Sequence, residues 1–347
     1  MHFAVREIVY RNSATDMNEI SQQMPSRLRD NKIASLLYNF LLKWQHLENH
    51  PRMGRLWRRV WQAACDRITT QVSTNIHGRR AIVNFGHTYP LYARRYKRWN
   101  NPLLELVNQV HHHKKRPINI IDVGAAIGDT VLLIEANCIG MVENYYCVEG
   151  EAEFFNLLVE NIGSWRTVHA INALLSDKLE DIPTLTRTHA GTASAQGDLL
   201  QGAVPLDSLF CGSKSDSMID VLKIDVDGFD GRVLRGSTGI LEKHRPAVIF
   251  EWDPFLCQRT ENGWLDHFIR LNESSYHRFV WFSKYGDFSH FTSGLDNASV
   301  NRMATVCLSN QHDFNWHYDI VALPDEAPEM EQQLAALSFA KQRRSFY

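Results

Sequence analysis

The stretch Ile121 to Thr130, IDVGAAIGDT, sets Asp122, Asp129, Gly124 and Gly128 between a short apolar run and the helical pattern VLLIEA. Glycines at a strand-to-helix turn let backbone amides approach a ligand closely, at the carboxyl edge of a sheet where ligands of doubly wound folds sit. The spacing argues against a dinucleotide, because GxGxxG asks for glycine at 124, 126 and 129 where this chain has Gly124, Ala126 and Asp129. Acids at 122 and 129 repel a pyrophosphate but suit a cofactor that carries an ammonium and a sulfonium. Asp122, Gly124, Ala125, Gly128, Asp129 and Thr130 are therefore the candidate cofactor loop, with Asp129 also reading as a helix N-cap. Glu149 ends the next apolar run, 21 residues after Gly128, where a carboxylate accepts hydrogen bonds from ribose hydroxyls. Ser176 and Asp177 follow the third run and suit an adenine edge, although a plain turn explains them equally.

A second group of acids lies in LKIDVDGFDGRVLRG, with Asp225, Asp227 and Asp230 beside Gly228, and in Glu251-Trp252-Asp253 after the following run. Like charges crowded at one sheet edge destabilise each other unless they are used. They suit two tasks, taking a proton from a hydroxyl or binding a divalent cation through oxygen. The first is favoured, with Asp225 or Glu251 as the base, since burial at a strand end raises a carboxylate toward neutrality. Asp227 is a candidate acceptor contact, and Asp227 and Asp230 also read as helix caps. Upstream, Asn84, His87 and Tyr89 stand in a Gly, Tyr and Pro punctuated segment as acceptor contacts, with His87 a further candidate base. His111, His112 and His113 point in different directions on a helix and read as a solvated helix end, not a metal site.

These residues need a frame, and the chain supplies one. From Ile118 onward short apolar runs alternate with helix-length segments, the pattern of a parallel sheet covered on both faces. The runs are 118–123, 145–149, 168–175, 219–225, 246–251, 277–282 and 318–323. Residues 1–75 read as a helical extension, 76–116 as a connector of strand or hairpin and then loop, 117–325 as the catalytic domain and 326–347 as a surface helix and tail. Segments 84–98, 188–202 and 253–263, the middle one read as a loop, are expected to shape an acceptor pocket. Ile33, Leu36, Leu37, Phe40, Leu41 and Trp44 recur at helical spacing, and 53–68, rich in Arg and Trp, suits a polyanion or membrane-surface contact but is read first as the solvated face of a helix that packs through Leu56, Val60 and Trp61.

Composition, at 44% hydrophobic and 22% charged, is that of a globular protein, and a net charge of -2 gives no global field for nucleic acid or an anionic surface. The stretch Ile33 to Trp44 falls short of the roughly 20 residues of a membrane span. Six cysteines without a CxxC pair argue against a disulfide scaffold or zinc site, and together with the lack of a secretory pattern fit a reducing cytoplasm.

IDVGAAIGDT, the run ending in Glu149, VPLDSLF at 204–210, LKIDVDGFDGRVLRG and RPAVIFE at 245–251 together resemble the FkbM family of methyltransferases. The resemblance covers roughly Ile118 to Pro324. It departs at Ala126, where the family's loop is often GANxG, and at Asp227, where the later motif is often DVEG. It implies a Rossmann-like class I methyltransferase fold, with six parallel strands and one antiparallel, using S-adenosyl-L-methionine to methylate a hydroxyl on a sugar, glycan or natural product. It places Asp122, Gly124, Gly128, Glu149 and Asp177 at cofactor positions and Asp225 to Gly228 facing the methyl group. Two other classes remain open: a non-catalytic binding module that kept the fold, and a nicotinamide-dependent oxidoreductase, which shares Glu149 but not the loop spacing. Oligomeric state is not legible.

Overall fold

A strand buried on both faces sends alternate side chains into two different cores, and the central strands of this chain do so. The computed structural model describes residues 31–189, 192–210, 218–309, 316–327 and 329–334. The expected helical character of residues 1–30, most of the C-terminal tail from 335, and Cys211 lie outside the described residues.

In chain order the described part opens with helices α1 (Lys32–Lys43) and α2 (Gly54–Arg67), joined by a 3-10 turn, Gln45–Asn49. Next comes a hairpin of β1 (Gln71–Ile76) and β2 (Arg79–Asn84), then α3 (Tyr89–Arg95) and α4 (Asn101–Lys114). His77 and Gly78, at φ 48° and 83°, make the two-residue turn of that hairpin, the twist that antiparallel strands accept most easily. The connector read at 76–116 as strand or hairpin and then loop thus contains two helices, α3 and α4.

The main domain runs β3 (Ile118–Val123), α5 (Asp129–Asn137), β4 (Val142–Glu149), α6 (Ala152–Ile162), β5 (Val168–Asn172), β6 (Leu174–Leu175), β7 (Glu180–His189), β8 (Thr192–Val204) and α7 (Leu206–Phe210). It continues with β9 (Val221–Ile224), α8 (Asp230–Arg235), α9 (Thr238–His244), β10 (Ala247–Trp252), α10 (Pro254–Arg259) and α11 (Asp266–Glu273). It closes with β11 (Arg278–Ser283), β12 (Phe288–Ser293), α12 (Asn297–Ser309) and β13 (Tyr318–Leu323).

The main sheet has the order β12-β11-β13-β10-β9-β3-β4-β5. Strands β5, β4, β3, β9 and β10 are mutually parallel, and β13 lies antiparallel between β10 and β11, so that β11 runs with the other five. This is the Rossmann-like α/β sheet with six parallel strands and one antiparallel, extended by an eighth strand, β12, that the sequence reading did not contain.

Ile118 and Ile120 of β3, Ile249 of β10, Val280 of β11 and Val321 of β13 enter one core with α4 and α6. Ile121, Val248, Phe279 and Ile320 enter the other. Each fully buried side chain of this kind contributes about 2 kcal/mol, which makes the sheet centre a stiff platform for its carboxyl edge.

Two expectations need correction. The run 168–175 is not one strand: it leaves the main sheet after Asn172, and Leu174–Leu175 pairs with β8 in a separate three-stranded sheet ordered β6-β8-β7. The segment read as a loop at 188–202 belongs largely to that sheet, whose β7–β8 ladder carries register shifts near Pro183 and Arg187. Such irregular pairing blurs the period-two pattern by which a strand is read.

Candidate active site

By the period of two, Asp122, Lys223, Glu251 and Asp319 share the sheet face that carries Ile120, Val221, Ile249 and Val321. Asp122 pairs in register with Lys223, and Glu251 with Asp319, so four neighbouring strands deliver a row of ionisable groups to one edge. Lys223 Nζ lies 3.0 Å from Asp122 Oδ1 and 3.4 Å from Asp225 Oδ2. Burial works against its ammonium form, but the two carboxylates outweigh burial and hold Lys223 above its ordinary range.

At the end of β3 the chain turns through Gly124, at φ 76°. A Cβ there would stand 1.9 Å from the Asp225 carbonyl oxygen, so only glycine allows the loops after β3 and β9 to approach this closely. The amides of Gly124 and Ala125 donate to the Val148 carbonyl at 3.0 and 3.1 Å. Ala126, at φ 44°, donates its amide to Glu149 Oε2 at 2.8 Å, and Glu151 donates to Oε1 at 2.8 Å. Each Glu149 oxygen keeps a second lone pair for a ligand hydroxyl. Burial pushes Glu149 up to about 7 in spite of these two amides, and burial pushes Asp129 up to about 7 as well. Gly128, with φ 85°, is the helix N-cap position and Asp129 the first helical residue, so Asp129 does not cap α5 and instead lines the cavity.

That cavity measures about 590 Å³ and runs from this loop to the ends of β10 and β13. Gly124, Ala126, Asp129, Thr130 and Glu149 line one end; Glu251, Asp253, Lys284, Tyr285 and His317 line the other. Asp225 and Asp227 lie along the wall between. The first end matches a cationic, ribose-bearing cofactor: acids are held there with incomplete compensation, which an ammonium or sulfonium relieves. At the far end Glu251 Oε2 stands 3.2 Å from His317 Nε2. Burial, reinforced by Asp225 and Asp253, holds the Glu251 carboxyl well above its ordinary range. Burial and then Lys284 push His317 down to about 4. Burial likewise raises Asp319 to about 8. Glu251, His317 and Asp319 place ligand atoms within 4.8 Å of one another and form the one candidate cation cluster among the described residues.

An aromatic wall borders this half. Tyr92 packs on Trp99 with centroids 5.5 Å apart, and Tyr96 on Tyr285 at 4.6 Å. Lys284 Nζ lies over the Tyr285 and Trp316 rings at 5.4 and 5.7 Å.

The sequence candidates separate into those the fold gathers and those it diverts. Gly124, Asp129, Thr130, Glu149, Asp225, Asp227, Glu251, His87 and Tyr89 all line the cavity. Asp122 does not: it is fully buried beneath the loop and acts through Lys223. Ala125 and Gly128 shape the turn from behind. Ser176 and Asp177 face away from the cavity, because Ser176 Oγ bonds Glu180 and Asp177 pairs with Arg235 at 3.1 Å. Asn84 ends β2 outside the wall. Tyr89 is tied to His77 and Asn100 through its hydroxyl, and the His87 carbonyl accepts from Tyr38.

The argument from burial fails for Asp225, whose side chain is 48% exposed beside Lys223, and holds for Glu251. Asp230 bonds the amides of Val226 and Gly228, bracing the loop; Asp227, at φ 50°, caps nothing. Lys223, Lys284, Tyr285 and His317 were missed. Only Lys223 carried a signal, a charge inside the apolar run VLKI.

Comparison with known proteins gives a match between residues 122–282 and the model of the methyltransferase FkbM domain. No curated protein matches. Among solved structures, the methyltransferase FkbM from Methylobacillus flagellatus KT is 14% identical, with a TM-score of 0.32 over 59% of this chain and 43% of that one. The chain thus spans less than half of that relative. TYW2 of M. jannaschii, solved with AdoMet, is 10% identical, with a TM-score of 0.37 over 74% of this chain and 86% of its own. TrmK of M. capricolum, solved with S-adenosyl-homocysteine, is 10% identical, with a TM-score of 0.31 over 63% and 67%. Scores at this level assign no activity.

Proposed function

From a methyltransferase FkbM domain at residues 122–282, we propose that this chain is an S-adenosylmethionine-dependent O-methyltransferase acting on a hydroxyl of a sugar, glycan or similar polyhydroxylated compound. The observation that carries the reading is a single cavity with acids and close-approaching amides at one end and the buried Glu251–His317 pair at the other.

Bound S-adenosylmethionine supplies an electrophilic methyl group on a sulfonium. The chain's own work is alignment, exclusion of water and removal of one proton. Glu149 receives ribose hydroxyls on its remaining lone pairs, and Asp129 faces the cationic portion. Asp225, held by Lys223, fixes the wall between the two ends. Glu251 takes the proton of the acceptor hydroxyl, with His317 at 3.2 Å as the group that shares it. Tyr92, Tyr96 and Tyr285 offer flat faces to the apolar side of a sugar ring, while Lys284 and Arg259 offer donors to its hydroxyls. Both Glu251 and His317 serve as proton carriers in this account, so EDTA leaves transfer unchanged; activity lost on chelation and restored by Mg²⁺ would reassign Glu251, His317 and Asp319 to a cation. Five cysteines without disulfide partners among the described residues fit a reducing compartment such as the cytoplasm.

The test is calorimetric titration with S-adenosylhomocysteine, run beside methyl transfer to a panel of hydroxylated saccharides and small phenols. We expect micromolar binding, weakened at least ~10-fold by Glu149→Ala and kept in Glu251→Gln, with transfer in Glu251→Gln down by about 10²-fold or more. Folded protein that binds no S-adenosylhomocysteine would leave only a binding module on a methyltransferase frame.

A further inference from the structure

The helical pair α1 and α2 is built against the pattern of a solvated surface. On α1 the buried residues Ala34, Tyr38, Leu41 and Leu42 face β1, and the opposite stripe is apolar too: Ile33 is 81% exposed, Leu36 73%, Phe40 57% and Trp44 39%. On α2, Met53, Leu56 and Val60 are 41%, 54% and 43% exposed and recur at helical spacing. The two helices are fastened together by the Trp57 indole donating to the Leu41 carbonyl and by Tyr38 against Trp61, 5.8 Å between centroids. Scattered exposed apolar residues are ordinary, but stripes on two fastened helices are not.

The charge of the same segment is equally one-sided. Lys32, Lys43, Arg52, Arg55, Arg58, Arg59 and Arg67, all exposed, stand against Glu48 and Asp66. This tenth of the chain therefore carries a formal +5 while the whole chain sums to -2. Glu48 is itself paired with Arg95 at 3.1 Å.

We propose that α1 and α2 form a docking surface for an anionic lipid bilayer, with Ile33, Leu36, Phe40 and Leu56 entering the headgroup boundary and the arginines of α2 meeting lipid phosphates. Amphipathic helices with cationic flanks and large apolar side chains take this position, and their binding depends on anionic lipid. A nucleic acid uses the charge but has no use for the apolar stripes. A second copy of the chain buries the stripes but sets two +5 faces against each other. An anionic surface with an apolar interior uses both features. The docking surface is joined to the cavity through α3, since Gln45 donates to the Leu91 carbonyl and Arg95 reaches Glu48, while Tyr92 of the same helix lines the acceptor end. Docking stands apart from the methyltransferase reading and fails or holds without it.

The experiment is sedimentation of the full chain with vesicles of phosphatidylcholine alone and of phosphatidylcholine with phosphatidylglycerol. We expect partitioning to the anionic vesicles only, weakened by salt, and reduced at least ~10-fold both in Leu36→Ser/Phe40→Ser and in Arg55→Ser/Arg58→Ser/Arg59→Ser. Circular dichroism and thermal melts of each variant show that the fold is kept. No partitioning of the wild type, or partitioning that neither variant weakens, overturns the proposal. So does concentration-dependent dimerisation lost in Leu36→Ser/Phe40→Ser, which makes a second copy the occupant. Tighter binding to homopolymeric RNA than to vesicles, unaffected by the apolar substitutions, overturns it in favour of a polyanion. Vesicle binding that emerges only after residues 1–30 are removed makes that segment the occupant and overturns it as well.

Discussion

Lys223 stands in a strand whose other three residues are fully apolar and reaches two carboxylates, one of them Asp122 with no exposure at all. A buried charge that loses its partner costs about 3 kcal/mol or more. Lys223→Met should therefore lower the urea unfolding free energy by about that amount, and Asp122→Asn in the same chain should recover much of it; a neutral single variant would show that the pair holds nothing together. Glu251 titrates differently. Burial raises its carboxyl, and a base works only when deprotonated, so kcat/KM should climb with pH above the ordinary carboxylate range as Glu251 loses its proton. The residual rate of Glu251→Gln should lack that climb. A wild-type profile that shares the shape of the Glu251→Gln profile would remove Glu251 from the proton path.

The loop after β3 is where an element's geometry decides function. Gly124→Ala drives a methyl into the Asp225 carbonyl and should abolish S-adenosylhomocysteine binding or folding, whereas Gly78→Ala, also at positive φ but with nothing within 4 Å of its Cβ, should cost only about 1 kcal/mol. Equal effects would show that close approach of the two loops is not what Gly124 provides. Ala126 sits at φ 44° without the tolerance of Asn or Gly, so Ala126→Gly should raise stability by about 1 kcal/mol in a thermal melt. This loop, Glu149 and the acids after β9 were legible because a parallel sheet places ligands at its carboxyl edge, and alternating apolar runs reveal the sheet. Ser176 and Asp177, read as cofactor contacts, lie outside the cavity lining: Ser176 bonds Glu180 four residues on, and Asp177 pairs with Arg235 of α8, an element that sequence spacing does not relate to it. His317 was invisible for the same reason: it reaches Glu251 only because β13 inserts beside β10, a pairing across 66 positions with no local mark. The β7–β8 hairpin and β12 hid behind irregular register and polar composition.

At the scale of the molecule, the cavity concentrates carboxyls that stay protonated to higher pH than in the unfolded chain. Asp129, Glu149 and Asp230 are raised to about 7 and Asp319 to about 8, each first by burial. A folded state that holds protons the unfolded chain has already released loses stability as pH rises through those values. Buried His267 and His317, lowered to about 4, act in the opposite sense only below about pH 6.5, where the unfolded histidine begins to bind a proton. The melting temperature should therefore fall between pH 6.5 and 8; a rise across that interval would contradict the protonation states assigned to the cavity. The place of β13 has a further consequence, in time. It comes last in chain order among the described strands, yet it fills the slot between β10 and β11, pairing with both. A chain emerging from the ribosome must therefore keep β10 and the β11–β12 hairpin apart, each with an open apolar edge, until Leu323 has cleared the exit tunnel. Nascent chains halted between Ser309 and Tyr318 are the ones most exposed to aggregation and most in need of a chaperone.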